Sequence, residues 1–168
     1  MISTEYVVSE RPFVVRRRVK WGDCDPAGVV YTVTFSEYVI SIAELFYGSL
    51  FDGTPQAVKN HHGFGTPTRA LDFDFRRSLW PDDVFDVTVE VTDIRTRTFT
   101  LTMTARKEDG DIAFIARLTP ICIQRGVRES IEMPVVLRAA LDQYRTRCDP
   151  LSASATDTSA AFAGEPTP

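Results

Sequence analysis

Between residues 35 and 50, apolar side chains recur at three- and four-residue intervals: Phe35, Tyr38, Val39, Ile42, Leu45 and Phe46, with Ser49 next on the same stripe. That period belongs to a helix. Thr34 stands where an N-cap is expected, and Glu37 follows at capping-box spacing. Ile40, Ala43, Tyr47 and Leu50 lie off the stripe, so the helix predicted over Phe35–Leu50 is apolar on most sides. Such a helix has to be wrapped by other elements.

From Leu71 onward the period changes to two. Leu71, Phe73 and Phe75 alternate with Asp72, Asp74 and Arg76, and Phe85, Val87, Val89 and Val91 alternate with Asp86, Thr88 and Glu90. Phe99, Leu101, Met103 and Ala105 alternate with Thr98, Thr100, Thr102 and Thr104. Pro81-Asp82-Asp83 and Glu108-Asp109-Gly110-Asp111 read as turns, and Ile112–Ile123 reads as the last long strand. Consecutive strands on short connections predict an antiparallel meander with one dry face.

Phe13–Trp21 is a further strand with one wet face, on which Arg16, Arg17, Arg18 and Lys20 read as a solvated basic run. Asp52–Gly65 is polar, carries Gly53, Pro55, Gly63 and Gly65, and reads as a loop. Pro134–Arg147 is expected to form a short helix on Val135, Leu137, Leu141 and Tyr144. Residues 149–168, rich in Ser, Ala, Thr and Pro, are expected to be a flexible tail to a folded domain spanning 1–148. A buried helix against an antiparallel sheet is an α+β architecture. Its open sheet edge favours side-by-side pairing of two subunits.

A chain of 168 residues supports one core, and its net charge of −4 argues against a broad nucleic-acid-binding face. Cys24, Cys122 and Cys148 have neither disulfide-framework nor zinc-site spacing. No stretch has the length of a signal-peptide core or a membrane span. The expectation is a reduced, cytoplasmic protein without nucleic-acid, membrane or metal partners.

The candidate chemistry is concentrated in Trp21–Thr34, just ahead of the helix. A calcium loop would need an oxygen ligand at Ala27 and a bidentate glutamate at Thr34, and has neither. A phosphoryl-transfer aspartate pair wants a buried apolar strand before it, whereas Arg16–Lys20 is basic. Acyl transfer fits better, with Asp25 facing a carbonyl whose oxygen is polarised by a backbone N–H at the helix start. The plain alternative is that Asp23 and Asp25 only cap the turn and the helix. Cys24 has no histidine within twenty residues to activate it and reads as packing.

The run Gly22-Asp23-Cys24-Asp25-Pro26-Ala27-Gly28-Val29-Val30-Tyr31 resembles, without a gap, the motif of the 4-hydroxybenzoyl-CoA thioesterase family. Weaker similarity continues at Gly65-Thr66-Pro67, Trp80-Pro81-Asp82-Asp83 and Arg95–Phe99, and covers residues 13–145. The resemblance implies a hot-dog fold, a homodimer or homotetramer with active sites at the subunit interface, and hydrolysis of an aromatic or short to medium acyl-CoA. CoA is then part of the substrate, and no cofactor is implied; an acyl-carrier protein is an alternative carrier.

By the same resemblance Asp25 is the catalytic carboxylate, as base or nucleophile, and the Thr32 amide polarises the thioester carbonyl. Tyr31, Gly65 and Thr66 contact the substrate, and Arg95, Arg97 and Thr98 hold the CoA phosphates, for which guanidinium groups are suited by charge and geometry. Arg125 and Arg128 are further candidates of that kind, and Asp23 is a turn-forming residue. The chain departs from the family at Ile40, where members often carry an acid near a ring hydroxyl; this implies a more apolar end to the acyl pocket. Glu37 and Glu44 are the only acids on the helix. Two rivals share the fold: a dehydratase or hydratase, which would need His61 or His62 to reach Asp25, and a non-catalytic acyl-CoA-binding subunit.

Overall fold

In the computed structural model, which describes residues 4–51 and 53–148, the predicted helix lies at the centre of the molecule. This helix, α1 (Thr34–Phe51), buries Phe35, Tyr38, Val39, Ile42, Ala43, Phe46 and Tyr47. The strands are β1 (Glu5–Glu10), β2 (Phe13–Arg18), β3 (Phe64–Gly65), β4 (Thr68–Phe75), β5 (Val84–Ile94), β6 (Phe99–Lys107), β7 (Ile112–Pro120) and β8 (Ile123–Gln124). Two further helices are α2 (Pro55–His62) and α3 (Val135–Cys148). The predicted tail, 149–168, lies outside the described residues.

Six strands form one sheet in the order β1-β2-β5-β6-β7-β4, antiparallel throughout. The period of two places Phe85, Val87, Val89 and Val91 of β5 and Phe99, Leu101, Met103 and Ala105 of β6 in the core. α1 lies on that face. Phe35 meets Phe114 edge-on at 5.1 Å, Tyr38 meets Phe85 at 5.7 Å, and Phe46 meets Phe13 at 5.4 Å. Each fully buried ring contributes about 1.5–3 kcal/mol. A long helix packed on one antiparallel sheet is the α+β hot-dog arrangement.

Several elements differ from expectation. β1 was not anticipated; it adds an edge strand beside β2. The strand from Phe13 stops at Arg18, and Trp21–Asp23 is a 3-10 turn. Arg17 does not face water: the alternation that buries Phe13 and Val15 carries on to Arg17, which is only 4 % exposed. Buried charge demands anions. Arg17 finds them in Glu5 and, at 3.6 Å, Glu37.

The expected loop over 52–65 contains α2, with Pro55 at its N-terminus and Gly63 left-handed at its end. The meander is also incomplete. β4 pairs with β7 rather than β5. The connection over 76–83 does not fold back as a hairpin, because Val19 donates to the Asp83 carbonyl at 2.9 Å and accepts from the Asp82 amide at 3.0 Å. Those bonds start β5 beside β2 and leave β4 at the far edge. α1 is not covered all round, since Ile40 and Leu45 are exposed, and Val135 of α3 is exposed as well. Among the described residues, no helix is long and apolar enough to cross a membrane.

Candidate active site

The turn before α1 is built on Asp23. Its carboxylate is 4 % exposed and accepts the Lys20 amide at 3.0 Å and the Tyr38 hydroxyl at 2.6 Å. The Asp23 carbonyl accepts the Tyr31 amide at 2.9 Å and the Thr34 hydroxyl at 3.2 Å. Thr34 therefore ties the helix back to the turn instead of forming the expected capping box, and Glu37 pairs with Arg17. Burial first, and then the bond to Asp23, push the Tyr38 hydroxyl far above its usual range, so it remains a donor. The Arg17 guanidinium lies 4.0 Å from the centre of the Tyr38 ring. One face of α1 thus fixes the turn through a single buried polar chain.

Asp25 is partly exposed, two residues further on. Its amide donates to the Val29 carbonyl at 2.9 Å, its carbonyl accepts the Gly28 amide at 2.9 Å, and its Oδ1 accepts the Ala27 amide at 2.8 Å. Gly28 closes this loop at φ +84°, a conformation that strains any residue with a Cβ. Among the described residues Oδ2 accepts no hydrogen bond, so one carboxylate oxygen is held and the other is free. The Thr32 amide precedes α1 and has no backbone acceptor among the described residues. A free N–H at a helix start carries partial positive charge.

A cavity of about 380 Å³ opens beside this loop, lined in part by Val29, Thr32, Phe35, Phe75 and Leu79. Asp25 is not among its lining residues, although Val29, which accepts its amide, is. Leu79 is buried, and its carbonyl accepts the Val30 amide at 2.9 Å, so the 76–83 connection supports the loop from behind. Arg76 and Arg77 also border the cavity, bound to Asp74 and Asp111. Sequence patterns gave no sign of either, because the connection's path depends on the Val19 bonds. Tyr31 is exposed beside this site.

The remaining candidates lie at the other end of α1. Arg95 and Arg97 are exposed on the turn between β5 and β6; Arg95 pairs with Asp93 at 2.6 Å and Arg97 donates to Ser130 at 2.9 Å. Thr98 bridges to Ile121, Arg97 accepts the Cys122 amide at 2.8 Å, and Ile121 donates to Pro67 at 3.0 Å. That chain of bonds joins the arginine turn to Gly65 and Thr66. A second cavity, of about 350 Å³, lies here between Ile40, Glu44, Tyr47, Lys59, Thr66 and Leu118. Arg125 binds Asn60 of α2, while Arg128 is exposed with φ +64°. From Thr34 to Tyr47 the helix rises about 20 Å. One chain therefore gathers Asp25, Tyr31 and Thr32 at one end and Gly65, Thr66, Arg95, Arg97 and Thr98 at the other.

Burial, and then the charges of Asp23 and Asp25, push the Cys24 thiol up, against a thiolate role. His61 and His62 are exposed on the last turn of α2, at the Tyr47 end of α1 rather than the Asp25 end of the same chain.

Residues 19–141 match the family model described as the thioesterase-like superfamily. A 1,4-dihydroxy-2-naphthoyl-CoA hydrolase of Thermosynechococcus vestitus is 29% identical over 126 residues, spanning 75% of this chain and 86% of the relative. A hypothetical protein of Staphylococcus aureus, solved in complex with CoA, aligns with a TM-score of 0.74 at 18% identity, over 88% of this chain and 89% of that one. A 1,4-dihydroxy-2-naphthoyl-CoA thioesterase from Synechocystis aligns with a TM-score of 0.70 at 22% identity, over 77% of this chain and 95% of that one. At these identities the two structural likenesses establish the fold.

Proposed function

Because this chain belongs to the thioesterase-like superfamily, we propose that it hydrolyses an acyl-CoA thioester to the free acid and CoA at the turn before α1. The observation that carries this reading is the pairing of a carboxylate with one unbonded oxygen and a free helix-start amide in one tight loop. Asp25 acts on the thioester carbon, either attacking it or deprotonating the water that does. The Thr32 N–H, at the positive end of α1, stabilises the charge that develops on the carbonyl oxygen. The loop geometry accommodates both roles of Asp25.

Within one chain the arginines proposed for the phosphates lie at the far end of α1 from that carbonyl. A two-fold copy would bring a second set of them to it. β4 runs from Thr68, near Tyr47, to Phe75, whose ring lies 4.8 Å from Phe35, and its outer edge is unpaired among the described residues. Antiparallel pairing of two β4 edges places the Thr68 end of each protomer beside the Phe75 end of the other. Arg95, Arg97, Thr98, Gly65 and Thr66 of the partner subunit then serve Asp25 and Thr32. Tyr31, Val33, Ile40, Phe75 and Trp80 are all exposed and apolar on the elements such a copy would cover. The 1,4-dihydroxy-2-naphthoyl-CoA hydrolase at 29% identity favours an aromatic acyl group.

Thiol release across aromatic, branched and straight-chain acyl-CoAs tests the reading, with each acyl group also offered as its N-acetylcysteamine thioester. The expected result is hydrolysis of at least one CoA ester and a loss of kcat/KM of about a hundredfold or more on truncation of the nucleotide, as remote binding energy is removed. Absence of thiol release from every ester would instead favour the binding-subunit alternative.

A further inference from the structure

The second cavity is lined in part by Tyr47, Lys59 and Thr66, of which only Thr66 has a place in the cleavage reading above. Tyr47 is 5 % exposed, and its hydroxyl makes no hydrogen bond among the described residues. The Thr66 hydroxyl beside it is also buried and unbonded. A buried hydroxyl without a full set of partners is destabilising, and these two neighbours on one cavity wall are free to bond to a ligand that enters it. Burial pushes the Tyr47 pKa up, against a weaker opposing hydrogen-bonding effect of the neighbouring Thr66 hydroxyl, so the phenol keeps its proton and can donate.

Lys59 supplies the charge. Its Nζ lies 4.4 Å from the centre of the Tyr47 ring, and it has no ion pair within 4.0 Å among the described residues. Burial lowers its pKa, while Glu44 acts in the opposite direction. Glu44 also lines the cavity but is exposed. Ile40, Ala43, Leu118 and Pro120 line the same cavity and suit methylene or ring carbons. Three donors, one of them a cation, in a cavity with apolar walls match a carboxylate, which offers several acceptor positions and no donor.

We propose that this cavity receives the far end of an acyl group that terminates in a carboxylate, held by Lys59, Tyr47 and Thr66. The proposal rests on the thioesterase reading, with the Asp25 that cleaves the ester supplied by the partner subunit. Ile40 keeps its wall of the cavity apolar, as the sequence implies, and the polar groups lie elsewhere on the lining. Lys59, Tyr47 and Thr66 are thus specificity residues rather than groups at the reacting carbon.

The test uses two length-matched pairs of substrates with the full chain: adipoyl-CoA against hexanoyl-CoA, and 4-carboxybenzoyl-CoA against 4-methylbenzoyl-CoA. The expected wild-type preference for the carboxylate in at least one pair is about tenfold or more in kcat/KM. Lys59→Met lowers that ratio about tenfold, Tyr47→Phe lowers it less, and Lys59→Arg retains most of it. A ratio is read because general damage to the fold lowers both substrates of a pair together. Hydrolysis without carboxylate preference, or a ratio unchanged in Lys59→Met, overturns this proposal alone. No hydrolysis of any acyl-CoA, in these pairs or in the wider panel, overturns the thioesterase reading along with it.

Discussion

Asp25→Asn is expected to lower kcat/KM for the preferred acyl-CoA by about a hundredfold or more, while the melting temperature moves by less than about 2 °C. The amide oxygen of asparagine can still accept the Ala27 N–H, so the turn that Asp25 closes is kept. What disappears is the charge on the second oxygen, which makes no bond among the described residues. A thiol-release assay together with a thermal melt reads both quantities. Near-wild-type turnover would remove Asp25 from the reaction.

The aspartate two positions earlier should behave in the opposite way. Asp23→Ala leaves the Tyr38 hydroxyl and the Lys20 amide without the acceptor they share, in a buried site. It also removes the anion nearest the Lys20 ammonium, at 3.6 Å. Losing one partner of charged hydrogen bonds away from water costs about 2–4 kcal/mol, which lowers the melting temperature by roughly 5–15 °C in a chain of this size. Activity falls too, because the same residue's backbone carries Tyr31 and Thr34. The stability loss is what separates the two positions. Equal melting temperatures for Asp23→Ala and wild type would contradict the anchoring role.

The centre of the fold was legible because it is local. α1 was expected over 35–50 and spans Thr34–Phe51, since a 3.6-residue period needs no knowledge of distant chain. The motif loop is also contiguous, and the bonds that close it around Asp25 run between residues at most four positions apart. Arg17 was misjudged through its charge. Alternation with Phe13 and Val15 pointed it inward, but its counter-ions, Glu5 and Glu37, come from other elements. α2 buries no residue, so no apolar stripe marked it, although Pro55 and Gly63 stood at its two ends as start and stop signals.

The sheet order was beyond pattern reading for a similar reason. Nothing in the alternation of β4 or β5 says which strand each joins; the bonds from Val19 to Asp82 and Asp83 decide it. The same holds for the polar groups that line the second cavity. Tyr47 counts as one more apolar position on a helix, and Lys59 as one more charge in a polar segment, until α2 folds over α1. Individual site residues could be named along the chain. Their division between the two ends of the molecule could not.

The most direct measurement is a crystal structure of the full chain with a non-hydrolysable thioether analogue of its acyl-CoA. The phosphates are predicted to sit on Arg95 and Arg97 of one protomer. The atom replacing the reacting carbon should lie within about 3.5 Å of the carboxylate of Asp25 of the partner subunit, with the Thr32 amide of that subunit on the adjoining oxygen. Finding that atom out of reach of either Asp25, or finding phosphates and reacting atom on the same protomer, would contradict the shared site.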